Sequence, residues 1–178
     1  MADLLECLVQ IRALREAPKR LEALARRFSV EVWLVRPAGE GRSAAEELAA
    51  LAEAELLWGV RIRAILTAER PLLPGFDPDT LVGHPVSGEP LPAIDLSRFR
   101  ARRGENLELL DRCSAADLER RGRLEEGGEP SIADVVAIML AADTERFGTI
   151  REYLELRAGH TEAESRRSGP GQEEGDDA

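Results

Sequence analysis

The stretch SAAEELAALAEAELLWGVRIRAIL, residues 43–66, reads as one long helix, and the rest of the chain is interpreted around it. Ser43-Ala44-Ala45-Glu46 forms a capping box, in which the serine hydroxyl accepts from a backbone amide and the glutamate reaches back to the serine amide. Behind it, Leu48, Leu51, Glu55, Trp58, Ile62 and Ile65/Leu66 step by three and four, the period of one helix face. A helix to about Ala68 is expected, with one carboxylate, Glu55, inside its apolar stripe.

Upstream, Leu4, Leu8, Ile11, Leu14, Leu21, Leu24 and Phe28 mark a helix face to about residue 27. Pro18 interrupts it and predicts a kink or a restart, because proline removes a helix hydrogen bond and clashes with the preceding turn. Downstream, residues 67–94 carry six of the ten prolines and no lasting period. A connection this long inside one domain is either a functional lid or a packed cover. Its Leu72, Leu73, Phe76 and Leu81 favour a cover lying on the helices. Asp95 or Ser97 is expected to cap a third helix over about 96–112, with Phe99, Leu107 and Leu110 inside.

Ser114-Ala115-Ala116-Asp117 caps a short helical turn, Gly127-Gly128-Glu129-Pro130 breaks the chain, and Ser131-Ile132-Ala133-Asp134 opens a last helix to about Arg157. Along it Ile132, Val135, Met139, Ala142, Arg146, Ile150 and Tyr153 fall in line, again with a charge in the stripe. From Gly159 onward the composition is that of a disordered acidic tail. The expected architecture is all-α: a four-helix bundle over residues 1–158, with a long Pro-rich crossover between its second and third helices, and a tail over 159–178.

Charge narrows the function classes. Lys and Arg number 24 against 34 Asp and Glu, a net charge of −10, and Lys19 is the only lysine. A nucleic-acid or anionic-membrane surface needs clustered cations, so neither partner is expected. The longest apolar run, Val135 to Ala142, is too short to span a bilayer, and Met1-Ala2-Asp3 does not open a secretory leader. Cys7 and Cys113 show no CxxC pairing and read as core thiols, which suits a cytoplasmic protein. P-loop, GxGxxG, GxSxG and HExxH patterns are all missing. The only histidines, His84 and His160, lie in the Gly/Pro-rich loop and at the edge of the tail.

The order of parts resembles the DinB-like (DinB/YfiT) helical-bundle superfamily over about residues 5–157. The matching stretches are Ser43 to Glu55, Arg61 to Leu66 with Arg70-Pro71, Gly128 to Val136, and Ala141 to Arg146. The resemblance implies a DinB-like four-helix bundle. It also implies a family of metal-dependent enzymes, thiol-dependent transferases among them, whose site uses three histidines. Matched on Ser43 and Glu46, the first of those histidines falls at Ala50; matched on Asp143, the other two fall at Ala142 and Arg146. The family's Trp position is Arg42. An alanine methyl cannot coordinate a metal and a guanidinium repels a dication, so no metal and no other cofactor is expected. Of the nearby acids, Glu53 and Glu145 point off the stripes, Asp143 sits at an edge and Glu55 alone is central, which does not make a carboxylate cage.

Glu55 and Arg146 lie on inward faces of helices that are neighbours in the family's bundle. Either Arg146 fills the vacated metal position and pairs with Glu55, or it snorkels to solvent on its aliphatic stem. Three functions follow from these residues. The first is a small-molecule-binding or scaffolding bundle without metal. The second is a retooled, metal-free transferase or isomerase acting on an anionic or thiol-bearing small molecule, with Arg146 holding a carboxylate; Glu55, Arg146 and Asp143 are the ligand-binding candidates of the bundle. The third is a structural homodimer whose shared face covers Trp58 or Phe147. A surviving cavity between the second and last helices, under residues 67–94, separates binding from scaffolding.

Overall fold

Three helix starts are fixed by the serine–acid boxes read from the sequence. In the computed structural model, which describes residues 4–37, 41–75, 77–82, 84 and 88–167, Ser43 Oγ accepts from Glu46 N (3.2 Å) while Glu46 Oε2 accepts from Ser43 N (2.8 Å). The Ser114/Asp117 and Ser131/Asp134 pairs repeat this exchange. They open α3 (Ala44–Thr67), α5 (Ala115–Leu118) and α6 (Ile132–Arg167). The other helices are α1 (Leu4–Arg27), α2 (Val30–Leu34) and α4 (Pro92–Leu110), with a 3₁₀ turn at Pro78–Leu81. Among the described residues, β pairing is limited to isolated bridges, Leu72 with Arg123 and Arg121 with Ser131.

Some boundaries differ from expectation. Pro18 neither breaks nor restarts α1, which runs through it as one helix. Helix α4 begins at Pro92, where a proline suits the first turn, and neither Asp95 nor Ser97 is its cap residue. Instead Asp95 Oδ2 reaches back to accept from Leu91 N (2.8 Å). The backbone of α6 continues to Arg167, past the expected end near Arg157 and into the stretch read as tail. Residues 168–178 of that tail lie outside the described residues. Leu4 and Leu8 are exposed, so the buried face of α1 runs through Cys7, Ile11, Leu14, Ala17 and Leu21 instead.

The core divides into two apolar clusters, one at each end of the bundle. Cys7, Ile11 and Leu14 of α1 meet Ile62 and Ile65 of α3, Leu107 and Leu110 of α4 and Val135 to Met139 of α6. Ala17 and Leu21 of α1 meet Leu48 and Leu51 of α3, Phe99 of α4 and Phe147 to Leu154 of α6. This sorting makes α1 and α6 parallel to each other, and α3 and α4 parallel to each other in the opposite sense. The packed interfaces run α1–α4, α4–α3, α3–α6 and α6–α1, leaving α1 and α3 on a diagonal. The Pro-rich segment is long because it must return the chain along the whole bundle before α4 can start.

That segment packs as a cover. Leu73 is fully buried in the cluster that holds Cys7, Ile11 and Leu14, Leu81 is half-buried and Leu72 is exposed; Phe76 lies outside the described residues. Leu73 N donates to Arg123 O (2.7 Å) and Arg123 N to Pro71 O (2.8 Å), which fastens the cover to the loop before α6. Cys7 is buried and Cys113 half-buried beside the same apolar cluster, and burial raises both thiols above their ordinary pKa, as core thiols should be. No helix among the described residues is long and apolar enough to cross a membrane.

Candidate functional site

The inward face of α6 keeps Ile132, Val135, Met139 and Ile150 of the stripe read in the sequence but departs from it by one residue at Ala142, Arg146 and Tyr153. Ile132, Val136, Met139, Asp143, Phe147, Ile150 and Leu154 are buried, whereas Ala142 and Arg146 are half-buried on the flank. The charge that α6 carries into the core is therefore Asp143, not Arg146, and the Glu55–Arg146 pair, one of the two alternatives for Arg146, does not form.

Glu55 and Asp143 meet Arg103 of α4, fully enclosed between the two apolar clusters. Arg103 Nη1 donates to Asp143 Oδ2 (2.8 Å) and Nη2 to Asp143 Oδ1 (2.9 Å), a two-pronged pairing that matches the planar fork to the carboxylate. Nη2 also donates to Glu55 Oε1 (2.7 Å). Asn106 Nδ2, one turn further along α4, donates to Glu55 Oε2 (3.0 Å) and Glu55 O (2.9 Å). Gly59 permits this approach, since a methyl group there would overlap Asn106 Oδ1. The guanidinium also lies over the Phe99 ring, 4.8 Å from its centroid.

The remaining donor contact explains Pro18. A proline has no N–H for the carbonyl one turn back, so Leu14 O loses its helical partner. Arg103 Nη1 donates to that oxygen (3.0 Å). Arg103 thus ties α4 to α1, α3 and α6, and a carbonyl left bare by Pro18 serves as one of its acceptors. Among the described residues its Nε alone finds no partner.

One guanidinium faces two carboxyl groups in this buried layer. Burial opposes the Arg103 charge, but hydrogen bonds and attraction from Glu55 and Asp143 outweigh it and hold the guanidinium more firmly protonated than in water. Burial is also the largest influence on Asp143. With the like charge of Glu55, it raises that carboxyl above the ordinary range despite Arg103.

Arg146 belongs to a second cluster at the edge of the bundle. Its Nη1 donates to Glu47 Oε2 on α3 (2.6 Å) and its Nη2 to Asp79 Oδ1 on the 3₁₀ turn (2.7 Å). Arg42, just before α3, pairs with the same Asp79 oxygen (2.7 Å) and donates to Asp79 O (3.2 Å). Burial tends to raise the Asp79 carboxyl, but the two arginines outweigh it and hold it below the ordinary range. Around this cluster, with Ala142, Glu145 and Thr149 completing the wall, lies a pocket of about 440 Å³. It lies between α3, α6 and the 3₁₀ turn of the crossover, the region whose filling or openness separates scaffolding from binding.

The three positions matched to metal ligands fall in different surroundings. Ala50 is fully buried inside α3, Ala142 lines the pocket, and Arg146 bridges α3 to the crossover. Glu53 pairs with Arg102 (3.2 Å), away from Asp143. Among the described residues no group of three or more His, Cys, Asp or Glu could hold a metal ion.

Sequence reading overlooked Arg103 because it stands in the run Arg100-Ala101-Arg102-Arg103-Gly104, which looks like a solvated face. The signal was its spacing: Phe99, Arg103 and Leu107 step by four, so Arg103 falls inside the apolar stripe of α4. Asp143, read as an edge residue, is buried for the same reason that Arg146 is not.

None of the curated proteins matches the chain by sequence. Among solved structures, the chain is similar to YfiT from Bacillus subtilis, described as a probable metal-dependent hydrolase with an unusual four-helix bundle topology. The TM-score is 0.80 at 16% identity, over 89% of this chain and 91% of that one. At that identity the likeness speaks for the fold. A family model of the DinB superfamily matches residues 13–150, well over half of the sequence, and the chain belongs to that superfamily.

Proposed function

We propose that this DinB-superfamily bundle works without a bound metal and binds a small molecule in the pocket between α3, α6 and the crossover. The observation that carries this reading is the placement of Arg146. A guanidinium at a position matched to a metal ligand cross-links Glu47 and Asp79 beside an open pocket, supplying a fixed positive charge that joins three segments. A divalent ion there would meet Arg42 and Arg146, and their repulsion would have to be overcome by Glu47, Asp79 and Glu145, two of which are already paired. The metal-dependent hydrolysis ascribed to YfiT is therefore not carried over to this chain.

The open pocket favours binding over scaffolding, since a scaffold gains by filling such a space with side chains. It also changes the expected ligand. Both terminal nitrogens of Arg146 are already bound to protein carboxylates, so a substrate carboxylate would have to displace Glu47 or Asp79. That weakens the reading of a retooled enzyme gripping an anion through Arg146. Glu145 lines the pocket and forms no ion pair among the described residues, which favours a ligand carrying a cationic group.

The test is elemental analysis of protein purified without a histidine tag or chelators, followed by thermal melts with added Zn²⁺, Ni²⁺ or Mn²⁺. Substoichiometric metal and an unchanged Tm are expected. Near one equivalent of tightly held metal would overturn the proposal.

A further inference from the structure

We propose that the groove between α1 and α6 is a second binding site, for a small amphipathic anion: an apolar body carrying a carboxylate or sulfonate. The groove lies on the opposite flank of α6 from the Arg146 pocket. It encloses about 400 Å³, within the range of about 300–1,000 Å³ usual for small-molecule sites. Arg20 and Leu24 come from α1, and Thr144, Phe147, Gly148 and Arg151 from α6 at spacings of three and four.

Three independent features point to this ligand class. First, the floor is apolar. Phe147 is held in place edge-to-face against Phe99, with ring centroids 6.3 Å apart, and Leu24 flanks it. Second, the charges are unbalanced. The chain has ten more acidic than basic residues, yet no acid lines this groove and two guanidiniums do. Neither Arg20 nor Arg151 forms an ion pair among the described residues. Arg20 does lower the Asp143 carboxyl through space, which accounts for part of its placement, but Arg151 has no such role. A carboxylate held by two arginine forks is the complementary group.

Third, Gly148 stands in the middle of a long helix, where glycine is among the least favourable residues. A Cβ built there would meet no atom within 4 Å, so neither packing nor backbone conformation requires the glycine. What its missing side chain preserves is the open space of the groove itself.

The experiment uses the full chain and two probes. Binding of 1-anilinonaphthalene-8-sulfonate is followed by fluorescence, and decanoate is titrated as competitor beside neutral 1-decanol. One saturable site per chain is expected, with decanoate displacing the dye at least about tenfold better than decanol. The double variant Arg20→Gln/Arg151→Gln should weaken decanoate by about tenfold or more. Gly148→Leu should block the site, while Arg63→Gln, an exposed charge on α3, should change nothing.

Equal affinity in the arginine double variant, equal competition by decanol, or no saturable binding would each overturn the proposal. If Gly148→Leu fails to fold, the double variant still decides, because both of its positions are exposed. A dimer in light scattering that Gly148→Leu dissociates would assign the groove to a second copy of the chain and overturn the small-molecule site. None of these results bears on the metal content that tests the other pocket.

Discussion

Two clusters in this molecule have the same composition, arginine against carboxylates, and opposite relations to water. Around Arg103 the charges are shut between two apolar clusters, and the guanidinium reaches every helix of the bundle. Around Arg146 the same chemistry lies at a half-exposed edge, where Glu47 and Asp79 are joined beside an open pocket. Charge pairing in the interior therefore governs the fold here, and charge pairing at the edge governs the position of the crossover. The interior cluster has no room for a ligand; the edge cluster does.

The largest difference should appear on removing each cation. Arg103→Met leaves two buried carboxylates facing each other and is expected to cost about 3–5 kcal/mol in urea unfolding, or to prevent folding. Arg146→Met should cost about 1 kcal/mol or less, since its partners can be hydrated. Replacing the whole layer, as Arg103→Met with Glu55→Leu and Asp143→Leu, should recover most of the loss. Equal costs for the two arginine variants would erase the distinction.

Next in size is the link between Pro18 and Arg103. Restoring an amide with Pro18→Ala gives Leu14 O a helical donor again, so Arg103 is no longer its only one. A double-mutant cycle of Pro18→Ala with Arg103→Met should show a coupling of about 1–2 kcal/mol, the size of a hydrogen bond to a charged group. Simple additivity would mean that the carbonyl gains nothing from the guanidinium.

The pH dependence should separate the clusters by sign. Asp143 has a raised carboxyl pKa in the folded state, so its stabilising contribution is greatest in acid and is lost as pH rises through that folded value. Asp79 has a lowered one, so its contribution is present above the unfolded pKa and is lost as pH falls through the folded value. Stability profiles between pH 3 and pH 7 should therefore change in opposite directions on Asp143→Asn and on Asp79→Asn. The smallest effect is a null coupling: Glu55→Gln with Arg146→Met should add within about 0.5 kcal/mol, because they share no partner. A larger coupling would mean that Glu55 and Arg146 do meet.

The starts of α3, α5 and α6 were legible because a capping box is a local device, complete within four residues, and all three proposed boxes form. The mid-bundle layer was only half legible. Glu55 announced itself as a charge in an apolar stripe, but its partner could not be chosen without knowing how α6 is rotated. Since 3.6 residues make a turn, stripes through Ala142/Arg146 and through Asp143/Phe147 are nearly equal in apolar content, and only packing against α1 and α3 selects the second. The role of Pro18 was hidden for a related reason. Its local cost was correctly identified, but the donor that offsets it comes from a helix 85 positions later in the sequence.

The parallel pairing of the first and last long helices has a consequence for the order in which the bundle can assemble. Helices α1 and α3 are the first two long helices of the chain, yet they lie on a diagonal; α1 packs instead on α4 and α6. As the polypeptide leaves a ribosome, the apolar face of α1 therefore waits through the synthesis of more than a hundred residues for α6 to arrive. Loop closure over that distance slows folding, and the waiting face is open to chaperones and to aggregation until the C-terminal third has been made.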